Sequence, residues 1–355
     1  MVDLPVVGIA GGGQLGRMMI LAGRAMGFRF AVLDPDPEAP AAVLADRFVN
    51  GSLHDGNSLA ALADRCDVLT YEIEHVDTDS LLTIERSGHA VRPSPATLSI
   101  IQDKLIQKET LQDAGLPVPR FVAPAVADPH AQDDPSVTGA SSPRLLRASD
   151  GGLTVEDLSA LGYPCVEKAR RGGYDGRGVR YHGQRPHEWT PLSEEIMLEE
   201  AVHIERELAV IVARSTTGET RTYAVAEMLF DPALNICTAV AMPARIDAHI
   251  EQQAREVALT AVKVLNGVGI FVVELFETPD GRVLINEVAP RPHNSGHLTI
   301  EACATSQFEQ HLRAIAGLPL GSTALHAPAG MRNLLGPLGR NGQAVLEGVG
   351  NALGR

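Results

Sequence analysis

Two segments that lie far apart in the chain carry residue types suited to polyphosphate chemistry. The first, residues 168–178, is a lysine followed by a basic, glycine-rich stretch whose backbone amides could approach a phosphate without obstruction by side chains. The second, residues 286–297, opens with Asn and the carboxylate Glu287 at an expected strand end and continues with Arg, His and Asn. A carboxylate suits Mg²⁺, and the later groups suit an anionic substrate. Together the segments favour ATP-dependent ligation.

A pair of carboxylates forms the candidate metal site. Glu274 lies within an apolar, β-branched segment, and Glu287 ends the next expected strand beside Asn286. The composition of residues 278–281 predicts a tight turn, so the two strands should form a hairpin in which the carboxylates meet. Carboxylate and amide oxygens are ligands that Mg²⁺ prefers, and an unpaired carboxylate among Ile, Phe and Val would be costly. The alternative is that both carboxylates form salt bridges with Lys or Arg.

Two lysines and an acidic segment are candidates for holding a nucleotide. Lys168 is expected at a strand end and Lys104 on the preceding helix, and either ammonium group could reach phosphate oxygens. Backbone groups of residues 199–202 could contact an adenine edge, while Glu207 could reach ribose hydroxyls. The alternatives are solvated lysines, a plain hairpin at the glycines and a solvated acidic strand end.

A glycine-rich turn near the N-terminus offers a different interpretation. Residues 11–16 fit GxGxxG between a strand and a helix, and Asp34 ends the next strand, the pattern of a dinucleotide site. However, no His or Tyr–Lys set for hydride transfer accompanies this turn. A dehydrogenase would also not need the second set of candidate phosphate-binding residues, at 168–178. We expect the turn to hold a substrate monophosphate or ribose at the helix N-terminus. The alternative is a turn with a structural role only.

Composition narrows the class of protein. A chain of 355 residues is long enough for two or three domains. The excess of 44 acidic over 30 basic residues argues against a nucleic-acid-binding protein. Four well-separated cysteines without a CxxC pair indicate free thiols in a reducing, cytoplasmic environment. Neither a signal peptide nor a membrane span is expected.

The order of expected elements predicts a mixture of α/β and α+β structure. Strands and helices alternate over residues 1–98, which predicts a small Rossmann-like domain with a parallel sheet. Residues 99–318 combine antiparallel strands with helices expected at 99–114, 250–265 and 302–315. A polar, proline-rich surface insertion is expected near 124–152, and residues 319–355 form a C-terminal segment.

These segments give the chain a family resemblance. It resembles the ATP-grasp superfamily and, within it, the N5-carboxyaminoimidazole ribonucleotide synthetase family, from residue 8 to about 320. The matching segments are 13–18 (GQLGRM), 34–37 (DPDP), 71–74 (YEIE), 102–104 (QDK), 172–178 (GGYDGRG), 286–287 (NE) with 289–291 (APR), 293–297 (HNSGH) and 306–308 (SQF). The resemblance implies an ATP-grasp fold behind a Rossmann-like, pre-ATP-grasp domain.

The resemblance also implies an activity, which is carboxylation of 5-aminoimidazole ribonucleotide with ATP and bicarbonate in purine synthesis. Bicarbonate would attack the γ-phosphate to give carboxyphosphate, whose CO₂ the substrate amine takes up as a carbamate. Such phosphoryl transfer needs positioning and charge neutralisation more than covalent groups. ATP and Mg²⁺ are the implied cofactors, and a homodimer is the implied assembly.

Carried over position by position, the resemblance assigns four kinds of role. The nucleotide-binding positions are Lys104, Lys168, Gly173, Gly176, Gly178, Val179, Glu199, Glu200, Ala201, Val202, Glu207, Asn286 and Glu287. The Mg²⁺ positions are Glu274 and Glu287. The substrate side comprises Gln14, Leu15, Glu74, Arg291, His293, Asn294 and Ser295. The catalytic loop contains Tyr174, Asp175 and Arg177, and is expected to close over carboxyphosphate and exclude water.

The chain departs from the family pattern in two places. Phe230 stands where family members often carry His at a nucleotide contact. The C-terminal segment also ends before the basic stretch that is typical of the family. Two other functions remain open at this point. One is an NAD(P)-dependent oxidoreductase that uses the glycine turn, and the other is a non-catalytic nucleotide-binding homologue.

Overall fold

The computed structural model describes residues 4–122, 124–125, 146–147, 161–173, 178–231, 236–336 and 347–354. Most of the insertion predicted near 124–152 lies outside the described residues. The same is true of Gly176 and of the three predicted catalytic residues, Tyr174, Asp175 and Arg177.

The N-terminal part is built on a parallel sheet. Its strands are β1 (Val6–Ala10), β2 (Arg29–Asp34), β3 (Arg47–Asn50), β4 (Val68–Tyr71) and β5 (Ala90–Val91), and its helices are α1 (Gln14–Met26), α2 (Gly56–Ala63) and α3 (Thr78–Arg86). The strands lie in the order β3-β2-β1-β4-β5, and each neighbouring pair is parallel. β1 and β4 are buried throughout because helices cover both faces. The Rossmann-like prediction is therefore confirmed.

A broken helix connects this sheet to the rest of the chain. The single helix expected at 99–114 is instead two helices, α4 (Pro95–Gln102) and α5 (Lys104–Asp113). The break occurs at Asp103, which is extended and whose carboxylate accepts hydrogen bonds from the backbone of Leu105 and Ile106. The same carboxylate pairs with Arg170 at 2.7 Å. Because Asp103 caps the second helix, Lys104 becomes the first residue of α5.

Two antiparallel sheets make up most of the remaining chain. The small sheet contains β6 (Phe121–Val122), β9 (Cys165–Ala169), β10 (Val179–His182) and β11 (Ile196–Glu200) in the order β10-β9-β11-β6, while β7 (Pro124–Ala125) pairs separately with β8 (Leu146–Arg147). The large sheet contains β12 (Arg206–Arg214), β13 (Thr220–Thr222), β14 (Ala226–Asp231), β15 (Ile236–Met242), β16 (Gly269–Glu277), β17 (Val283–Ala289) and β18 (Ala329–Arg332). Its order is β17-β16-β12-β14-β15-β18, with β13 beside β12.

Helices cover both faces of the large sheet. They are α6 (Ala248–Leu265), α7 (Thr299–Ala302) and α8 (Gln307–Ile315), and a short α9 (Val349–Leu353) follows near the end of the chain. The apolar stripe of α6, with Val257 and Ala261, packs on Phe271 and Val273. Ala302 and Ala314 pack on the opposite face. None of the helices in the described ranges is long and apolar enough to cross a membrane.

The helix expected at 302–315 is also divided. The chain leaves helical geometry after Ala302, where Cys303 forms an isolated bridge with Leu325, and α8 starts only after Ser306. The side chain of Ser306 accepts a hydrogen bond from the backbone of Glu309 at 3.1 Å, which caps the new helix. Ser is a typical N-cap residue, but the apolar periodicity of the segment alone predicts an uninterrupted helix through Ser306.

One histidine on α8 joins the two parts of the molecule. His311 is fully buried, and its Nδ1 accepts a hydrogen bond from the backbone of Ile270 in β16 at 3.1 Å. Its Nε2 must therefore carry the proton and donate to Oγ1 of Thr70 in β4, 2.9 Å away. Phe308 and Leu312 of the same helix pack on the parallel sheet. A neutral imidazole therefore links the two sheets.

Acid should weaken this link. Burial lowers the pKa of His311 to about 3, below the value of about 6.5 for an unfolded chain. Below about pH 6.5 the unfolded state gains a proton that the folded state does not, so the stability is lost as pH falls. We expect His311→Gln to reduce the slope of unfolding free energy against pH between pH 4 and 6 by up to about 1.4 kcal/mol per pH unit.

Urea unfolding at a series of pH values measures this slope. The exposed His326 provides a matched control, and His326→Gln should leave the slope as it is in the wild type. A slope unchanged in His311→Gln would show that this histidine is not held neutral in the folded state.

Candidate active site

A cleft of about 610 Å³ opens between the small sheet and the large sheet. Most residues predicted for the nucleotide, metal and substrate lie along it. Those that line the cleft are Lys104, Lys168, Gly173, Val179, Glu199, Glu200, Ala201, Val202, Glu207, Glu274, Asn286, Glu287, His293, Asn294 and Ser295. Gly178 directly precedes Val179 at the start of β10. Gln14, Leu15, Glu74 and Arg291 are not part of the lining.

Strand alternation places the acidic groups of the large sheet in the cleft. In β12, Leu208 and Val210 pack beneath α6, so Glu207 faces the other way. In β16, Val273 and Leu275 pack beneath α6, and Glu274 between them faces the cleft. Two acidic residues of the strands therefore share the face opposite α6.

A β-bulge lets two consecutive residues of β17 reach the cleft. Glu274 pairs directly with Glu287, but its neighbour Leu275 pairs with Ile285, so Asn286 is the extra residue. Ile285 and Val288 both pack beneath α6, which an unbroken alternation would not allow. The bulge thus frees Asn286 and Glu287 together to line the cleft. The predicted meeting of the two carboxylates across the hairpin is found, with a bulge that the sequence did not reveal.

The two paired carboxylates differ in their electrostatic environments. Burial, followed by the negative charges of Glu287 and Glu207, raises the pKa of Glu274 to about 8. The ammonium group of Lys104 forms an ion pair with Glu287 and lowers the pKa of that carboxyl to about 2. The cleft therefore holds adjacent acidic groups whose repulsion a cation would relieve.

The small sheet contributes a second set of charges. Lys168 of β9 pairs in register with Met197 of β11, so it shares a face with Glu199 two residues further along. Its Nζ lies 2.5 Å from Oε2 of Glu199 and donates to Oδ1 of Asn286 at 3.0 Å. Oε1 of Glu199 lies 2.9 Å from the ammonium group of Lys108. Burial opposes ionisation of Glu199, but the two lysines lower its pKa to about 2.

The sequence-based interpretation missed Lys108. The signal was available, because Lys108 lies four residues after Lys104 and so falls on the same face of α5. The apolar periodicity of a helix does not by itself indicate that one of its lysines is buried.

An apolar wall was also missed. Its residues are Val166, Tyr181, Ile204, Met228, Phe230, Ile236, Cys237, Phe276, Leu334 and Leu335, and the polar Asn333 also lines the cleft. Met228 and Phe230 are two residues apart in β14, and this spacing predicts that their side chains share one face of the sheet. Phe230, noted as a family departure, thus contributes apolar surface, which suits the flat face of a base.

The segment after β17 connects this cleft to the N-terminal part. Nε of Arg291 lies 2.8 Å from Oε1 of Glu74, which belongs to the loop after β4. Nε2 of His293 lies 3.5 Å from Oε1 of Glu274, and its Nδ1 is 3.0 Å from Oγ of Ser295. Burial and the charge of Arg291 lower the pKa of His293 to about 4, so the imidazole is neutral near pH 7.

Two amide side chains hold the same segment in place. Asn294 donates to Oδ1 of Asn333 at 3.0 Å, and Asn333 donates back to Oδ1 of Asn294 at 2.9 Å. The predicted substrate residues of this segment therefore lie between the Glu274–Glu287 pair and β18. Gln14 and Leu15 lie at the start of α1, on the N-terminal sheet.

The glycine turn is closed by the protein's own carboxylates. Glu72 accepts hydrogen bonds from the backbone of Gly13 at 2.5 Å and of Gly16 at 2.7 Å. Asp34 accepts from the backbone of Gly12 at 2.7 Å. A Cβ at Gly13 would lie 2.5 Å from Oε1 of Glu72, so the close approach requires glycine. These amides are not free to hold a pyrophosphate, which removes the basis for the dinucleotide interpretation. For the same reason the N–H groups of Gly12, Gly13 and Gly16 are not available to the monophosphate that the sequence analysis expected at this turn.

The contact with Glu72 should be important for stability. Glu72→Ala leaves the buried N–H of Gly16 and the partly buried N–H of Gly13 unpaired, which is expected to lower the free energy of unfolding by about 1–3 kcal/mol. Chemical denaturation measures the change, and the exposed Glu301→Ala serves as a control. A loss no larger than that of the control would mean that Glu72 does not hold the turn.

Two family models match the chain and define the class of the protein. A ribonucleotide synthetase preATP-grasp domain matches residues 4–102, and an ATP-grasp domain matches residues 137–308. The parallel sheet, the two antiparallel sheets and the cleft between them are thus the parts of an ATP-grasp protein. This class uses ATP, and the predicted fold class is confirmed.

Individual relatives identify the family. The N5-carboxyaminoimidazole ribonucleotide synthase of Synechococcus elongatus is 40% identical over 339 residues, 93% of this chain and 78% of that protein. The crystal structure of N5-carboxyaminoimidazole ribonucleotide synthetase from Thermotoga maritima has a TM-score of 0.82 and 43% identity, covering 99% of this chain and 86% of that one. The chain belongs to the N5-carboxyaminoimidazole ribonucleotide synthetase family and is an ATP-dependent ligase.

A third structure bears on the ligands. The synthase of Aspergillus clavatus, in complex with ADP and 5-aminoimidazole ribonucleotide, has a TM-score of 0.81 and 33% identity, covering 95% of this chain and 84% of that chain. The relative therefore binds both a nucleotide and the ribonucleotide on the same fold.

Proposed function

We propose that this chain carboxylates 5-aminoimidazole ribonucleotide with ATP and bicarbonate. The observation that carries the proposal is the cleft, which brings Lys104 and Lys168 together with the Glu274–Glu287 pair. Bicarbonate attacks the γ-phosphorus, the bond to ADP breaks, and carboxyphosphate forms. Carboxyphosphate breaks down to phosphate and CO₂, and the substrate amine adds to CO₂ and loses a proton. Each step calls for positioning and charge neutralisation, which the cleft offers.

Mg²⁺ fits the residues of the cleft. Glu274, Glu287 and the amide oxygen of Asn286 are hard oxygen donors, and a cation between the paired carboxylates would offset the repulsion that raises the pKa of Glu274. Within the described ranges no group of three or more acidic, His or Cys residues is placed to hold a metal alone. The remaining ligands would be phosphate oxygens and water, as is usual for Mg²⁺ with a nucleotide. When bound, Mg²⁺ supplies charge neutralisation at the phosphates.

The chain's own residues divide the remaining tasks. The lysines hold phosphate oxygens, and the apolar wall with residues 200–202 holds the base. Glu207 has its pKa raised to about 7 by burial, partly opposed by Lys168, and lies where it can meet ribose hydroxyls. The segment from Arg291 to Ser295, with Glu74, Gln14 and Leu15, faces the ribonucleotide. Residues Tyr174, Asp175 and Arg177 stay a prediction for the loop over carboxyphosphate.

The assembly and location are also proposed. The four free cysteines support a reducing, cytoplasmic environment, and the homodimer rests on the family resemblance alone. Release of ADP from ATP, measured with and without bicarbonate and the ribonucleotide, tests the reaction. ADP release that requires both supports the proposal, and release that ignores the ribonucleotide rejects it.

The metal role makes Glu287 essential for turnover. Glu287→Gln removes one negative ligand and the partner of Lys104, and should reduce ADP release by on the order of 100-fold or more while the chain stays folded. Glu256→Gln, an exposed change on α6, is the matched control. Wild-type ADP release from the Glu287→Gln protein would reject the metal role.

The substrate role of Arg291 predicts a selective effect. Arg291→Ala should raise the KM for the ribonucleotide and cost about 2–4 kcal/mol in kcat/KM, because a desolvated phosphate contact is lost. The KM for ATP should change little. Steady-state kinetics with each substrate varied in turn separates the two effects.

Arg313 offers a control for this change. It also forms an ion pair, with Glu309 at 2.7 Å, but it lies on α8 outside the cleft. Arg313→Ala should leave both KM values near those of the wild type. Equal losses for ATP and ribonucleotide in Arg291→Ala would identify the pair with Glu74 as structural instead.

A further inference from the structure

Lys108 is a buried, charged side chain that does not line the cleft. It is 2% exposed and lies on α5, one turn after Lys104. Its ammonium group lies 2.9 Å from Oε1 of Glu199 and donates to the backbone carbonyl of Ile285 at 2.9 Å. A charge held this deeply needs partners that offset the loss of water. Both partners belong to strands that carry cleft residues.

Glu199 is shared between two lysines that differ in access. One carboxylate oxygen faces the enclosed Lys108, and the other faces Lys168, which lines the cleft. The group of three carries two positive charges and one negative charge. Glu199 can therefore neutralise only one of the two lysines. Of these two, Lys168 lines the cleft, so the remaining positive charge can act on a phosphate there.

Removing Lys108 would change this balance. Lys168 and Glu199 would form a neutral pair, with the ammonium group drawn to a carboxylate that no other cation shares. Less positive charge would then face a phosphate in the cleft. The contact of Lys108 with Ile285, next to Asn286, would also be lost, and with it a link between the small sheet, α5 and β17.

We propose that Lys108 is a positioning residue for nucleotide binding, which keeps Lys168 available to phosphate by sharing Glu199. This proposal rests on the proposed function, in which Lys168 contacts a phosphate. Lys108 itself touches neither the nucleotide nor the reacting atoms. Its effect passes through the carboxylate of Glu199, which distinguishes it from a residue that only supports the fold.

Binding of ADP to the full chain, measured by calorimetry without bicarbonate or ribonucleotide, tests the proposal. Lys108→Met should raise the Kd for ADP by about tenfold or more. Lys108→Gln, which keeps an N–H donor for Ile285 but no charge, should do the same. The exposed Lys263→Met on α6 is the matched control and should leave Kd within about twofold of the wild type. Because no carboxylation is measured, failure of the proposed reaction would not affect the result.

A double substitution separates electrostatic positioning from simple support. In Lys108→Met/Glu199→Gln the carboxylate of Glu199 no longer neutralises Lys168, whereas Glu207 and Glu287 act on Lys168 as they do in the wild type. The Kd for ADP should therefore lie clearly closer to the wild-type value than the Kd of Lys108→Met does, even if stability falls. This variant also decides the matter if the single variants do not fold, since it leaves no unpaired buried charge at either position. The proposal is overturned if the single variants lose stability without weaker ADP binding, or if the double variant binds ADP as weakly as Lys108→Met.

Discussion

The cleft depends on one electrostatic constraint, which is that two carboxylates are paired directly across neighbouring strands. Glu274 and Glu287 lie opposite each other in β16 and β17, in a partly enclosed site where like charges repel strongly. The pair can be accommodated if Glu274 holds a proton, as its raised pKa indicates, or if cations lie nearby. Lys104 provides one next to Glu287, and the proposed Mg²⁺ would provide another. The surrounding elements place these positive charges next to the carboxylates.

Helix α5 carries two of the lysines because of its capped start. Asp103 interrupts the preceding helix, so α5 begins at Lys104 and points both Lys104 and Lys108 towards the sheets. Asp103 also pairs with Arg170, at the end of the strand that carries Lys168. One side chain thus sets the helix direction and ties it to the small sheet. Charges from three different elements meet in a single cleft as a result.

The N-terminal sheet does not use its glycine turn in the way that the GxGxxG pattern indicates. The carboxylate of Glu72 occupies the amides at the start of α1 that a dinucleotide would use in a dehydrogenase. The following residues of the same loop lead to Glu74, which pairs with Arg291 of the segment after β17. The sheet therefore supports the substrate side of the cleft, and α8 with His311 fixes its position relative to the large sheet.

The sequence alone determined the fold class, the family and most residues of the cleft. Local periodicity predicts the strands and helices, and residue types such as the acidic pair with an adjacent amide are visible without a structure. The hairpin that joins Glu274 to Glu287 followed from a short turn signal, because strands separated by such a turn must pair.

Only the tertiary structure decided how these groups combine. The bulge at Asn286, the burial of Lys108 and the closure of the glycine turn by Glu72 each depend on a partner distant in the chain. A helix break at Asp103 likewise reflects both its cap and its pairing with Arg170, which lies 67 residues away. Local sequence patterns specify which face a side chain takes. They do not specify which distant charge that face will meet, because this depends on how separate sheets pack together.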